Sequence, residues 1–244
     1  MNFSQFYRAC LPLTESRLRQ RRDYLDDHAV RFWRTYRSCK RHLSPGARVL
    51  SIGAGSAYIE TILATELNVS VTLFDFPEML KVQESFNHAQ GFQTIGGDIT
   101  QYEAPKGDPS FDLILSSEVV EHVPEAPERH IARFRPHLKP GGVFVITTPN
   151  FGSFRNLMRF ALQLPVLEDP ALSFLPPSFL NEQYHRREYM PCEIESALGQ
   201  CGLRRERVEF TMNAAARSAR ALVFAPFEAA IPRWRLTQIV TARG

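Results

Sequence analysis

The sequence predicts an α/β protein built on a parallel β-sheet that helices cover on both faces. Between residues 47 and 149, short runs of apolar and β-branched residues alternate with segments that carry apolar residues at helical spacing. This alternation is typical of parallel sheets, because the crossover between two parallel strands usually carries a helix. A length of 244 residues and a hydrophobic fraction of 44% allow one large domain or two small ones with a substantial core.

The predicted elements follow one another in a regular order. The strands cover residues 47–55, 69–75, 92–98, 111–117 and 141–149, and two last strands at 204–210 and 235–243 close the sheet. Between them, helices are predicted over 58–67, 77–90, 124–138 and 192–203. Pro77 stands at the first position of its helix, where a missing N–H does no harm.

Residues 1–43 precede this alternation and are predicted to form a basic helical arm. They hold ten lysines and arginines against four acids, a local charge of +6, although the whole chain carries only +3. Such an arm attracts an anionic substrate, a nucleic acid or a lipid headgroup, and an ordinary solvated helix face is the alternative. The remaining residues, 44–244, are predicted to form the main domain.

Residues 151–190 interrupt the alternation after the fifth strand. An amphipathic segment at 151–164 is followed by a run at 165–180 that is rich in proline and large apolar residues. The pattern predicts a helical insertion that acts as a lid or a substrate wall, with simple core packing as the alternative.

The sequence carries no sign of a membrane span or of export. We find no run of about 18 apolar residues, and the N-terminus lacks the long apolar region of a signal peptide. The four cysteines are widely spaced, with no C-x-x-C pair. Reduced thiols and a cytoplasmic location are therefore expected.

A glycine loop joins the first strand to the first helix of the alternation. In "VLSIGAGSAYIE" the loop contains Gly53 and Gly55, and Ala57 stands where a third glycine is common. Asp75 ends the next strand, 20 residues beyond Gly55, where a carboxylate accepts hydrogen bonds from both hydroxyls of a ribose. Asp98 ends the third strand and is placed to reach a base, with a role as a turn or cap residue as the alternative.

Acidic and basic side chains follow the fourth strand directly. In "SSEVVEH", Glu118, Glu121 and His122 lie at positions i, i+3 and i+4, so a helix after Ser117 would point them to one side. Carboxylate oxygens together with imidazole suit Mg²⁺, Mn²⁺, Fe²⁺ or Zn²⁺. The alternative is that Glu118 contacts a backbone amide, Glu121 is solvated, and His122 acts alone as a general base or a helix cap.

The order and spacing of several stretches resemble the class I S-adenosylmethionine-dependent methyltransferases. These stretches are "VLSIGAG", "FDF", "GGDIT", "FDLILSSEVVEHV" and "GGVFVITTPN", and the resemblance covers residues 45–244. It implies a Rossmann-like, seven-stranded, mostly parallel sheet with an antiparallel last strand. It also implies that the cofactor S-adenosylmethionine contacts Ser51, Gly53, Gly55, Asp75, Phe76, Asp98, Ile99 and Ser117.

Within that resemblance each part of the cofactor has an expected place. The Gly53–Gly55 loop passes the methionine part, Asp75 holds the ribose, and Asp98 lies near the adenine. The chain departs from the family at Ser51, where members commonly carry an acid in contact with the amino end of the cofactor. Serine keeps a hydrogen bond there but loses the charge.

The stretch E-x-x-E-H, followed by "TPN" and a late histidine, resembles the metal-assisted branch of the family. That branch includes small-RNA 2′-O-methyltransferases and ubiquinone-pathway O-methyltransferases, and in the RNA enzymes two Glu and two His hold the metal. The resemblance implies Glu118, Glu121, His122 and His185 as metal ligands, and His122, Glu121 and His185 as catalytic residues. The "H-x-R-E-Y" sequence at His185 is also similar to bacterial methyltransferases of glycan clusters.

The function implied is transfer of a methyl group to a hydroxyl of a sugar, a lipid-linked intermediate or another small molecule. Peripheral membrane contact is compatible with the basic arm, and a nucleic-acid acceptor is disfavoured. The alternatives are a NAD-dependent oxidoreductase on a Rossmann fold and a cofactor-binding scaffold without catalysis. Oligomeric state is left open by the sequence.

Overall fold

The computed structural model describes residues 1–15, 22–55, 57–103, 110–167, 185–212 and 226–244. Its strands form one seven-stranded sheet in the order β3-β2-β1-β4-β5-β7-β6. The strands are β1 (Arg48–Ile52), β2 (Ser70–Asp75), β3 (Gln93–Gly96), β4 (Phe111–Ser117), β5 (Leu138–Pro149), β6 (Arg204–Thr211) and β7 (Thr237–Arg243). The helices are α1 (Phe3–Glu15), α2 (Arg22–Lys40), α3 (Tyr58–Leu67), α4 (Pro77–Val82), α5 (Glu84–Ala89), α6 (Pro127–Phe134), α7 (Phe154–Ala161) and α8 (Pro191–Gln200).

The strand directions confirm the predicted fold class. Strands β1 to β5 pair in parallel, whereas β7 runs antiparallel to both β5 and β6. The chain moves outward from β1 through β2 to β3 and then returns to β4 on the other side of β1. This reversal opens a crevice at the carboxyl ends of β1 and β4, the usual ligand position in open parallel sheets.

Two predicted helices differ from the observed ones. The helix expected over 77–90 is two short helices, α4 and α5, which meet at Gln83. The side chain of Gln83 donates to the carbonyl of Gly55 at 2.7 Å, so the break brings Gln83 against the glycine loop. The helix expected over 124–138 begins at Pro127 and ends at Phe134 in a 3₁₀ turn, because Pro136 has no N–H to continue the ladder.

The core lies on both faces of the sheet. Alternate residues of a strand face opposite sides, so Val49 of β1 packs towards α1, α2 and α3, whereas Leu50 packs towards α6 and α8. Helices α1 and α2, which the sequence analysis treated as an arm, supply Phe6 and Leu25 to this core, both fully buried. Burial of each such side chain stabilises the fold by roughly 1.5–3 kcal/mol.

Helix α2 also contacts the last two strands of the sheet. The hydroxyls of Ser38 and Thr241 lie 3.2 Å apart in the interior, and Arg41 pairs with Glu209 of β6 at 2.8 Å. Helix α2 and the C-terminal strands are therefore parts of one packed unit.

The insertion after β5 is described only in part. Ser153 caps α7 by accepting a hydrogen bond from the amide of Asn156, and Phe154 stacks on Trp234 with 5.2 Å between ring centroids. Residues 168–184 of the predicted lid lie outside the described residues. Within the part of the chain that is described, no helix is both long and apolar enough to cross a membrane.

Candidate active site

A cavity of about 610 Å³ opens at the carboxyl ends of β1, β2 and β4. Most of the residues expected to bind the cofactor lie in its wall, namely Gly53, Gly55, Asp75, Phe76, Ile99 and Ser117. His122 and His185 lie in the same wall. The structure thus places the glycine loop and the predicted acid–base residues around one cavity.

The glycine loop at the end of β1 has a backbone that demands glycine. Gly53 has a φ of 62°, and a Cβ atom added there would lie 2.6 Å from Cγ2 of Val119. Its amide donates to the carbonyl of Phe74 at 2.8 Å, which joins the ends of β1 and β2. Ala57, in place of the third glycine, has a left-handed φ of 45° at the start of α3. The positive φ and the contact with Val119 thus both exclude a larger residue at Gly53.

Asp75 ends β2 with its carboxyl group turned towards the glycine loop. Its Oδ1 accepts a hydrogen bond from the amide of Phe76 at 2.8 Å. Burial raises the pKa of Asp75 to about 6, although hydrogen bonds from the amides of Phe76 and Gly55 act to lower it. A buried carboxylate of this kind gains stability from added hydroxyl donors, which a ribose supplies.

Asp98 and Ile99 follow β3 and take different places. The Oδ1 atom of Asp98 accepts hydrogen bonds from the amide and the hydroxyl of Thr100, both at 2.8 Å. Asp98 therefore organises a turn, the role that the sequence analysis weighed as its alternative. Ile99, next to it, lies in the wall of the cavity.

The three predicted catalytic residues form a cluster at the cavity, in which His122 and His185 line the wall and Glu121 does not. One ligating atom from each of Glu121, His122 and His185 lies within 4.8 Å of the others. Glu121 is fully buried, and its Oε2 accepts a hydrogen bond from Thr148 at 2.9 Å. Its Oε1 has no hydrogen-bond partner among the described residues and lies 3.8 Å from Nε2 of His122. Burial, aided by the charge of Glu118, raises the pKa of Glu121.

Backbone contacts bring His185 to this cluster across 63 residues of chain. The amide of Arg186 donates to the carbonyl of Glu121 at 2.7 Å, and its Nε donates to the carbonyl of His122 at 2.8 Å. The rings of His122 and His185 then lie with centroids 5.0 Å apart. Burial acts to lower the pKa of His185, but the contact with Glu188 and the nearby carboxylates outweigh it and raise that pKa.

Glu118 does not join the cluster, and the helix expected after Ser117 is absent. The amide of Glu118 donates to the carbonyl of Thr147 on β5, and its φ of 55° then turns the chain away from helical geometry. Its carboxylate forms an ion pair with Arg31 of α2 and accepts a hydrogen bond from Thr147 at 2.9 Å. The structure therefore brings together three of the four expected metal ligands and gives Glu118 an arginine instead.

The length of the chain that matches a known protein family shows which family the chain belongs to. A family described as "Methyltransferase domain" matches residues 18–191, well over half of the chain. The chain belongs to this family. The match confirms the predicted class, the S-adenosylmethionine-dependent methyltransferases, and it begins inside the segment that the sequence analysis treated as an arm.

Individual relatives agree with the family. A ubiquinone biosynthesis O-methyltransferase of Xanthomonas euvesicatoria pv. vesicatoria is 32% identical over 167 residues, which are 67% of this chain and 65% of the relative. The chain thus aligns with slightly less than two thirds of that relative. Two solved structures share the fold. An S-adenosylmethionine-dependent methyltransferase of Mesorhizobium loti has a TM-score of 0.61 and 20% identity, covering 87% of this chain and 97% of that one. One from Archaeoglobus fulgidus has a TM-score of 0.58 and 19% identity, covering 92% and 100%.

One charged residue of this methyltransferase was missed by the sequence analysis. Ser51 is fully buried beneath the glycine loop, and its hydroxyl donates to the carboxylate of Glu60 on α3 at 2.5 Å. Glu60 is only 2% exposed and lies in the wall of the cavity. An acid within the otherwise apolar start of "YIETILATEL" was the available signal.

Helix α2 supplies a second group of missed residues. Tyr24, His28, Arg31 and Phe32 lie in the cavity wall, and their i, i+4, i+7 and i+8 spacing was the signal for one helical face. Burial, together with the charge of Arg31, lowers the pKa of His28 to about 3, so its imidazole is neutral near neutral pH. Burial acts to lower the pKa of Arg31, but the ion pair with Glu118 outweighs it and raises that pKa.

The donor atoms of the cluster fit a divalent metal ion in type and number. A carboxylate and two imidazoles are a common three-residue ligand set for a catalytic ion with open positions. The Oε1 atom of Glu121 is a buried acceptor that lacks a hydrogen bond among the described residues, as a ligand atom would in the absence of its ion. Glu121, His122 and His185 are therefore the residues that would hold such an ion.

Proposed function

We propose that the protein is an O-methyltransferase that methylates a hydroxyl group of a small-molecule acceptor. The observation that carries this proposal is the meeting of Glu121, His122 and His185 beside the cavity that also contains the glycine loop. Groups able to accept a proton or hold a cation are what a hydroxyl requires, since an alcohol is a weak nucleophile at neutral pH. The similarity to the Xanthomonas ubiquinone biosynthesis O-methyltransferase supports oxygen as the acceptor atom.

The chain's own residues then divide the work between two sides of the cavity. S-adenosylmethionine, when bound, supplies the methyl group as part of a sulfonium, which makes the transfer an in-line displacement. The Gly53–Gly55 loop and Asp75 hold the donor, while His122 and His185 face the acceptor. An imidazole takes the hydroxyl proton as the oxygen is methylated. Glu121 lies beside both rings. Burial raises its pKa, but a positive charge on either imidazole favours its ionised form, and that carboxylate then balances the charge.

A divalent ion would add to this arrangement at the same residues. When bound, it would lower the pKa of the acceptor hydroxyl and orient it. Glu121, His122 and His185 would be its ligands, whereas Glu118 is already paired with Arg31. The pair keeps a positive charge next to Glu118 in the absence of any metal.

The other cavity walls support an acceptor with an apolar or aromatic body. Tyr24 and Phe32 of α2 and Val123 after β4 line the space beside His122. An aromatic acceptor can pack against these side chains, whereas Arg155, Asn156 and Glu188 in the same cavity wall offer partners to further polar groups of an acceptor. Sugar and lipid-linked acceptors are alternative outcomes of the assay.

Location and membrane contact are also proposals. The four cysteines all lie within the described residues and form no disulfide, which supports a reducing compartment such as the cytoplasm. Leu157 and Phe160 of α7 are 44% and 77% exposed, which supports peripheral contact with an apolar surface.

The proposal is tested by product identification with the purified protein and isotope-labelled S-adenosylmethionine. The acceptor panel is a catechol, a simple phenol, a hexose and a primary amine, each assayed with and without a chelator. An O-methylated catechol or phenol is the expected product. Exclusive methylation of the amine would overturn the proposal.

Variants then distinguish a metal-assisted transfer from one in which an imidazole alone acts as the base. Glu121→Gln and His185→Ala should reduce kcat by about 100-fold or more while the Kd for S-adenosylmethionine stays within about threefold. The exposed His88 of α5 gives the matched control, His88→Ala, which should behave as the unaltered protein. Loss of activity with the chelator and recovery with Mn²⁺ or Mg²⁺ would support the ion. Chelator-resistant turnover that depends on His122 would refute the ion and leave the imidazole as the base.

A further inference from the structure

Glu60 is a charged side chain inside the half of the cavity that belongs to the methyl donor. It stands in the first turn of α3, directly after the glycine loop, and its relative exposure is 2%. Tyr58, Ile59 and Ile62 around it are buried as well, so the surroundings are largely apolar. A carboxylate in such a place is costly unless hydrogen bonds and a positive charge compensate it.

A hydrogen bond fixes where this carboxylate points. The hydroxyl of Ser51, at the end of β1, donates to Oε1 of Glu60 at 2.5 Å. The carboxylate is thus held at the end of β1, where Ser51 lies two residues before Gly53, and Glu60 contributes to the cavity wall. Members of the family commonly carry an acid at the position of Ser51. Here the carboxylate next to that position belongs to Glu60 of the following helix instead of to the strand.

The part of the cavity expected to hold the methyl donor therefore contains two carboxylates. Asp75, at the end of β2, is suited to the ribose hydroxyls. Glu60 lies on the β1 side, where the glycine loop leads into α3. The methyl donor carries positive charge only at its sulfonium and its α-ammonium group, so a buried carboxylate in this half is complementary to one of these two groups.

We propose that Glu60 binds the α-ammonium group of the methionine part of S-adenosylmethionine and that Ser51 is a positioning residue for its carboxylate. The sulfonium is the less suitable partner, because it has no N–H or O–H to donate. The ammonium group offers three donors and a full charge to the carboxylate. This inference concerns the cofactor alone and does not depend on the acceptor or on a metal.

Calorimetric binding to the ligand-free protein tests the proposal with three ligands. S-adenosylmethionine has both charges, S-adenosylhomocysteine keeps only the ammonium, and 5′-methylthioadenosine lacks both. With Glu60→Gln, the first two ligands should bind about 10–100-fold more weakly, as expected for loss of a charged hydrogen bond. Binding of 5′-methylthioadenosine should change by no more than about twofold.

The other outcomes contradict the proposal in distinguishable ways. A loss confined to S-adenosylmethionine would assign Glu60 to the sulfonium. An equal loss for all three ligands would make Glu60 a structural support of the glycine loop. The exposed Glu84 of α5 gives the matched control Glu84→Gln, which should leave all three affinities unchanged.

Two further variants keep the test decisive if Glu60→Gln folds poorly. Ser51→Ala retains the charge and should show the same ligand pattern with a smaller loss of about 3–10-fold. The exchange variant Ser51→Glu/Glu60→Ser returns the acid to the strand and should recover at least part of the affinity for S-adenosylhomocysteine. A Ser51→Ala protein with normal binding of all three ligands, together with an exchange variant that recovers nothing, would refute the assignment.

Discussion

Replacement of Asp75 by asparagine should make the ligand-free protein more stable and the cofactor complex weaker. Asp75 ends β2, where its Oδ1 accepts the amide of Phe76, and an asparagine oxygen can accept the same hydrogen bond. The substitution keeps the size of the side chain and removes its charge, but it leaves a single acceptor oxygen where the carboxylate accepts from the amides of Phe76 and Gly55. The gain in stability is therefore the cost of the charge minus any hydrogen bond lost to Gly55.

The magnitude follows from the pKa of Asp75. Burial raises it from the ordinary 3.8 to about 6, roughly two units, which corresponds to about 3 kcal/mol at most. The raised pKa means that the folded state binds the proton more tightly than the unfolded state does. The cost is therefore absent below about pH 4, grows as the pH rises towards 6, and stays constant above it. Because Asp75 is partly exposed, we expect about 1–3 kcal/mol at pH 8.

Urea unfolding of both proteins at pH 4 and pH 8 is the assay. Asp75→Asn should exceed the parent protein in unfolding free energy at pH 8 and match it at pH 4. Titration with S-adenosylmethionine at pH 8 should show a loss of about 1–3 kcal/mol in binding. Equal stability at pH 8, or a difference that persists unchanged at pH 4, would refute the argument about the buried charge. Unchanged binding would refute the role of Asp75 at the ribose.

Two further predictions concern the residues that shape the cavity. Arg31→Met should lower the unfolding free energy by about 3 kcal/mol, the lower end of the range for a buried pair, because the half-buried carboxylate of Glu118 loses its ion-pair partner but keeps the hydrogen bond from Thr147. A loss in urea unfolding no larger than that of Arg34→Met on the same helix would contradict this. Gly53→Ala should weaken S-adenosylmethionine binding at least 10-fold and destabilise the fold by about 2 kcal/mol, since its φ is positive and its Cβ would clash. The glycine control is Gly199→Ala in α8, where the added methyl meets open space and should stabilise by about 0.5–1 kcal/mol in thermal unfolding.

The regular part of the fold could be predicted because local pattern decides it. Residues 111–117 form β4 as predicted, since a continuous apolar run fits a strand that is covered on both faces. The interruption at Gln83 had no local signal of comparable strength, because it depends on a hydrogen bond to Gly55 in another loop. Strand positions are thus local information, whereas breaks in helices here depend on tertiary contacts.

Some residues of the candidate site could likewise be predicted from the sequence, and others could not. Gly53 and Asp75 could be predicted from their spacing, because a strand, a glycine turn and the tip of the next strand have a fixed relation in this architecture. The conformation of Glu118 could not be predicted, since it depends on pairing with Thr147 of β5 and on Arg31 of α2. Spacing along the sequence suggested a helix there, and long-range contacts prevented it.

The place of β7 in the sheet has a consequence for how the protein is made. β7 lies between β5 and β6, although it follows both of them in the chain. Until the ribosome has added Arg243, β5 keeps an open edge and β6 lacks the strand with which it pairs in the described sheet. Open strand edges on unfinished chains favour association with other chains. The sheet, and with it the contact between Ser38 and Thr241, is therefore completed only after β7 has been made, and chaperones that cover exposed strands would have their greatest effect before that point.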